Sequence, residues 1–182
     1  MATDTKTRIL EGALDLLRAE AGGAITLEAT AKRVGLTKPG LMYHFPTKDA
    51  LMLAVVDHAA AQWERLLIDH AGQPAEAASP FQRIRAYVEV ALTESFDRAD
   101  FAIYSDAAYR DAYTATWIRR LGPWLALPDD LPEPVRGRLV AARLLADGYW
   151  TAAATGVFPA AGRDRAALMA VAQDLLREET AP

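Results

Sequence analysis

Lys38, Tyr43 and His44 lie within the seven residues K-P-G-L-M-Y-H, and each offers a group that bonds an anionic oxygen or a base edge. The lysine is a compact cation for a phosphate or for guanine O6 and N7. The phenol and the imidazole donate or accept at neutral pH. Leu41 and Phe45, four apart in the same stretch, are the apolar anchors that hold such groups outward. Thr37 is an N-cap residue type, and Pro39 sits in the first turn, where a missing N–H loses no helical bond. The spacing therefore predicts a short helix over 38–44, about 10 Å long at 1.5 Å per residue.

Upstream, Thr26 is placed to cap the stretch L-E-A-T-A-K-R-V, in which Leu27, Ala31 and Val34 form an apolar stripe. Gly35 supplies the left-handed turn that follows. Lys48 opens the next helical pattern. A helix, a glycine turn and a second short helix with exposed polar groups is the layout that presents a recognition helix to a major groove.

The segment from about Thr7 to Val55 resembles the DNA-binding domain of the tetracycline-repressor (TetR) family of bacterial transcription regulators. The resembling pieces are R-I-L-E-G-A-L-D-L-L-R-A-E, T-L-E-A-T-A-K-R-V-G from Thr26 to Gly35, L-M-Y-H-F from Leu41 to Phe45, and K-D-A-L from Lys48 to Leu51. Met42 departs from the family, which has an aromatic there, so contacts at that point fall to Tyr43 and His44. The helical patterns along the chain give an all-α protein of about nine helices, the layout that the resemblance also implies. Residues 1–48 are then a three-helix, helix-turn-helix DNA-binding domain, and residues 49–182 a larger helical domain for effector binding and dimerisation. The resemblance implies a homodimeric, ligand-responsive repressor on a palindromic double-stranded operator. For site residues, Thr26 and Lys48 hold phosphates by helix dipole and charge, and Thr37 and His44 add phosphate contacts. Lys38, Pro39 and Gly40 touch base edges, with Pro39 against a thymine methyl, and Tyr43 does either.

Charge distribution agrees with this arrangement. The net charge of −4 is the wrong sign for an ordinary DNA binder. Residues 1–48 nevertheless hold seven Lys or Arg against five Asp or Glu, and all four lysines of the chain (Lys6, Lys32, Lys38, Lys48). The acidic excess lies in the remainder. A mildly basic head on an acidic body orients the molecule on a polyanion, although solvated surface charge alone gives the same counts. No cysteine occurs, which excludes disulfides, thiolate metal sites and a cysteine nucleophile. The N-terminal M-A-T-D-T-K-T-R-I-L has no apolar signal core and no run approaches a membrane span, so a cytoplasmic protein without membrane partners is expected.

The remaining chain reads as helices. Ile9, Leu10, Ala13, Leu14 and Leu17 make the stripe of an opening helix. A long helix is expected from Asp49 to about Asp69, carrying Leu51, Val55, Ala59, Trp63 and Leu66/Leu67. Ser79-Pro-Phe-Gln82 is a capping box, starting a helix whose face is Phe81, Ile84, Val88, Leu92 and Phe96. Shorter pieces follow from about Ala99 to Leu127, broken at Gly122-Pro123. Helices of about 133–156 and 164–178 close the chain. Val135, Leu139, Ala142, Ala146, Tyr149 and Ala153 on the first of these, and Leu168, Val171, Ala172 and Leu175 on the second, suit either the subunit's own core or a second copy. The resemblance favours a dimer interface.

Aromatic residues crowd the C-terminal half. Phe101, Tyr104, Trp117, Trp124 and Trp150, with Arg143 and Asp147 as polar groups, are the candidates for binding a small apolar or amphipathic effector. Core filling is nevertheless the favoured role of any single one of these aromatics, and an intrahelical ion pair the favoured role of Arg143 and Asp147, four apart. An enzyme is the rival class, and G-x-S-x-G, phosphate-loop, dinucleotide and H-E-x-x-H patterns are all missing. His58 and His70, twelve residues apart, sit about 120° apart round a helix. No catalytic set, metal or cofactor is expected. A helical adaptor or small-molecule-binding module without DNA is the other alternative. It gives no reason for Lys38, His44 and Lys48 to gather at one end.

Overall fold

The computed structural model describes residues 4–19, 25–95, 101–104 and 111–178, and no strand occurs among them. Eight helices are fully delimited: α1 (Thr5–Ala19), α2 (Leu27–Arg33), α3 (Lys38–His44), α4 (Lys48–Ala71), α5 (Pro80–Thr93), α6 (Asp111–Leu125), α7 (Glu133–Thr155) and α8 (Gly162–Leu175). Residues 101–104 are also helical, so the described residues contain nine helical segments in an all-α fold. Phe96, expected on the face of α5, lies outside the described residues.

The chain divides into two compact units. One comprises residues 1–61 and 97–118, and the other residues 62–96 and 119–182. In the first, Ile9, Ala13 and Leu14 of α1, Ala31 of α2, Leu41 of α3 and Leu51, Val55 and Val56 of α4 share one buried core. That core also takes Ile103 and Tyr113 from much later in the sequence. Helix α1 approaches the end of α2 so closely that a Cβ built on Gly12 lies 2.3 Å from Val34 Cγ1. Arg33 on α2 meets Asp15 on α1 at 3.1 Å, and Arg8 donates to the Val34 carbonyl at 3.1 Å. These contacts set where the turn after α2 begins.

In the second unit, α5 packs against α7, and α8 touches both. Ser79 starts α5 as its sequence requires: its hydroxyl accepts from Gln82 N–H at 3.2 Å, and the Gln82 side chain accepts from Ser79 N–H at 2.8 Å. The C-terminal carbonyls of α8 are capped by arginines. Arg85 reaches the Leu176 oxygen at 3.1 Å, and Arg138 the Leu175 oxygen at 2.9 Å, which suits the negative end of a helix dipole. Gly156 ends α7 in the left-handed conformation at φ 70°.

Two expectations need correcting. The chain does not break at Gly122-Pro123, because α6 runs through to Leu125 with Pro123 inside it. Only one helical bond is forgone there, Ala126 N–H still reaches the Gly122 carbonyl at 2.8 Å, and Arg83 donates to the Pro123 carbonyl. Burial of Leu121 and Trp124 on either side holds the last turn. The second correction concerns α7. Leu139, Ala142 and Ala146, expected at a dimer interface, are wholly buried within the single chain, as is Ala172 of α8. They cover the apolar face of α5, which would otherwise stand in water. The side of α7 left exposed carries Ala141, Leu144 and Gly148.

Candidate nucleic-acid interface

Thr26, extended at φ −123°, caps α2 by accepting from Ala29 N–H at 3.1 Å. The helix ends in a Schellman motif: Leu36 N–H bonds the Ala31 carbonyl at 2.9 Å and Gly35 N–H the Lys32 carbonyl at 3.3 Å. Gly35 sits at φ 69°, where a side chain is strained. The chain thereby reverses and delivers Thr37 as the cap of α3, its hydroxyl oxygen accepting from Gly40 N–H at 3.2 Å.

Helix α3 is pinned by Leu41, fully buried, with Phe45 buried just beyond its end. Tyr43 is 86% exposed. Pro39 and Tyr43, four apart and therefore stacked on one side of the helix, point away from Leu41 by the 100° per residue of an α-helix. Lys38 and Pro39 are exposed, and His44 is half-buried with its ring 5.3 Å from that of Tyr43, edge to face. Gly40 is also half-buried; a Cβ there would come within 3.2 Å of Thr37 Oγ1. Its small size thus serves the cap as well as leaving room for a close-approaching ligand.

Lys48 begins α4, as its place in the pattern requires, and is exposed. The cap there is Thr47, whose hydroxyl accepts from Ala50 N–H at 3.1 Å. Thr47 is a site residue missing from the sequence-based set, although a threonine just before K-D-A-L is itself a cap signal. Thr26, Thr37 and Thr47 are all exposed. Each uses its oxygen as acceptor, so the hydroxyl proton stays available to donate to a phosphate oxygen. Lys38 and Lys48 make no ion pair with any other described residue, whereas Arg8 and Arg33 are taken up in holding α1 to α2.

The effector candidates divide between the two units. In the first, Tyr104 is half exposed and meets Trp117 edge to face with centroids 6.1 Å apart. Trp117 packs against the buried core, and Phe101 is half-buried. In the second, Trp124 is 1% exposed and belongs to the core. Trp150, also buried, stands edge-on to Trp63 at 5.9 Å. Asp147 accepts from the Tyr87 hydroxyl at 2.6 Å and lies 3.9 Å from Arg143. A cavity of about 270 Å³ in this unit is walled by Ile84, Leu125, Leu127, Leu139 and Val140, and its two charged residues are Arg136 and Arg143. Arg143 is the one effector candidate that lines it. Among the described residues no cluster of His, Asp or Glu is arranged to hold a metal ion, and no helix is long and apolar enough to cross a membrane.

Residues 9–55, which span α1 to the first turns of α4, match the family model of bacterial regulatory proteins of the tetR family. Residues 9–55 are a DNA-binding domain of the TetR family. Solved structures extend the likeness in fold beyond the TetR domain. A TetR-family member from Streptomyces coelicolor is 22% identical with a TM-score of 0.65, the match covering 96% of this chain and 100% of that one. A TetR-family regulator from Rhodococcus is 15% identical with a TM-score of 0.66, covering 94% and 98%. The multidrug binding protein EbrR, complexed with malachite green, is 19% identical with a TM-score of 0.64, covering 97% and 100%. No curated protein matches the sequence. TetR-family regulators are in general non-enzymatic, bind DNA operators and typically dimerise.

Proposed function

We propose that this chain works as a cytoplasmic homodimeric repressor of the TetR family that releases a palindromic operator when a small effector binds, and that it catalyses no reaction. Residues 1–48 do the reading, with the first turns of α4 supplying their core, and residues 49–182 serve effector and partner. Each copy lays α3 in the major groove. Lys38, Pro39 and Gly40 meet base edges, Tyr43 meets a base or the backbone, and Thr26, Thr37, His44 and Lys48 hold phosphates, with Thr47 added to that set. Two copies then read half-sites about 34–36 Å apart, or a multiple of that. The observation that carries the reading is Tyr43, 86% exposed on a helix whose Leu41 is fully buried. Held outward in this way, Tyr43 offers its ring and its hydroxyl to a base or a phosphate.

The second copy is best accommodated by the exposed faces of α7 and α8. Leu144 and Val171 are 53% and 51% exposed, and Ala141 and Gly148 beside Leu144 on α7 allow two helix axes to approach closely. Val157 and Phe158, in the link between these helices, add exposed apolar surface. The complexes of EbrR with malachite green and with ethidium support an effector for this chain too. To change occupancy of DNA, that effector must prefer one arrangement of the two α3 helices over the other. Enrichment of bound fragments from a genomic or random duplex pool tests the proposal. It predicts a recovered site with two-fold symmetry; recovery of nothing above background would refute it.

A further inference from the structure

We infer that the cavity between Arg136 and Arg143 takes an amphipathic anion, a carboxylate or similar acid carrying a short apolar tail. The inference deepens the effector part of the proposed function and rests on that reading for its regulatory consequence, although not for binding itself. Arg136 and Arg143 are seven residues apart on α7, so they project from nearly the same side, about 10 Å apart along the axis. Leu139 and Val140 lie between them on the cavity wall, and Ile84 and Leu125 face in from α5 and α6. The lining carries no acidic group to offset the two guanidiniums.

Both arginines have donors to spare. Arg143 is matched only by Asp147 at 3.9 Å, and that carboxylate already holds the Tyr87 hydroxyl at 2.6 Å. Arg136 donates to the Pro128 carbonyl and sits 3.9 Å from Asp129, whose side chain is fully exposed. Such a solvated pair at that distance is weak. A guanidinium has five N–H donors in a fixed fork that matches a carboxylate. An anion entering the cavity therefore gains charge-assisted bonds, while its tail covers leucine and valine surface. A lipophilic cation of the kind bound by EbrR meets two like charges instead.

The test uses the full-length protein without DNA, titrated calorimetrically with octanoate and separately with octylammonium. Octanoate should bind, with octylammonium at least about tenfold weaker, and Arg136→Met and Arg143→Met should each weaken octanoate about tenfold or more. Val140→Trp, which fills the cavity, should remove binding while the protein still melts cooperatively. The inference is overturned by the absence of octanoate binding, by equal binding of octylammonium, or by wild-type octanoate affinity in the Arg136→Met/Arg143→Met protein. Operator affinity measured alongside keeps the two readings apart. Octanoate failure with intact operator binding sinks the anion site alone, whereas loss of operator binding in the wild type sinks the regulator reading.

Discussion

Replacing Gly12 by alanine probes the contact that fixes the reading helix to its support. The added Cβ would stand 2.3 Å from Val34 Cγ1, whereas carbon atoms in good contact are about 3.5–4.0 Å apart. Either α1 or the end of α2 must then yield by more than an ångström. Val34 has little freedom to rotate away, because a β-branched side chain is stiff at χ1. Overpacking of this kind costs about 1–3 kcal/mol. Alanine in a helix interior returns about 1 kcal/mol of propensity over glycine, so the net loss should be near 1 kcal/mol, or roughly 2–4 °C in melting temperature for a chain of this size. Val34 immediately precedes Gly35, so the displacement passes into the turn that aims α3. Operator affinity should fall although the unfolded fraction at 25 °C stays negligible. Thermal melts and operator titrations of Gly12→Ala, Val34→Ala and the double variant form a cycle. The double variant should be more stable than the two single effects predict by about 1 kcal/mol, since Val34→Ala removes the clash. A Gly12→Ala protein that melts higher than wild type, with no coupling to Val34, would refute the argument.

Other outcomes follow from the same geometry. Tyr43→Ala should leave the melting temperature within about a degree, as exposed substitutions do, while weakening operator binding at least tenfold in fluorescence anisotropy; a large stability loss would assign Tyr43 to packing. Thr47→Asp should keep the cap of α4, because aspartate caps as well as threonine, yet weaken operator binding by setting a negative charge against phosphate. Thr47→Ala should instead cost about 1 kcal/mol in a denaturant melt. Leu144→Glu with Val171→Glu should convert a dimer to a monomer in sedimentation velocity, and an unchanged dimer would move the interface elsewhere.

The elements near the candidate interface were legible because their signals are local. Thr26, Thr37 and Ser79 with Gln82 each satisfy helix-end donors within three residues, and Gly35 is required by the turn it makes. Thr47, just before Lys48, is a local signal of the same kind. Legibility fails where partners are distant in sequence. Ile103 and Tyr113 enter the core of α1 to α4, and no periodicity in either segment announces it. Helix α7 is rich in alanine around its circumference, so its pattern does not say which side packs on α5 and which stays exposed. The cavity escapes the sequence for the same reason, since Ile84, Leu125 and Arg143 come from three helices. Pro123 reads as a break because a proline inside a helix costs about 3 kcal/mol, and the burial of Leu121 and Trp124 that offsets it is not visible in the local pattern.

The central claim is that exposed groups around α3 and its neighbouring helix ends grip duplex DNA in two copies. It is tested most directly by titrating a recovered operator over a salt series and counting chains per site by sedimentation. Two chains per duplex are expected, with the logarithm of affinity falling linearly against the logarithm of salt at a slope near −0.9 per phosphate contact. That slope should become shallower by about one contact per copy in Lys48→Ala. One chain per duplex, or an affinity indifferent to salt, would contradict it.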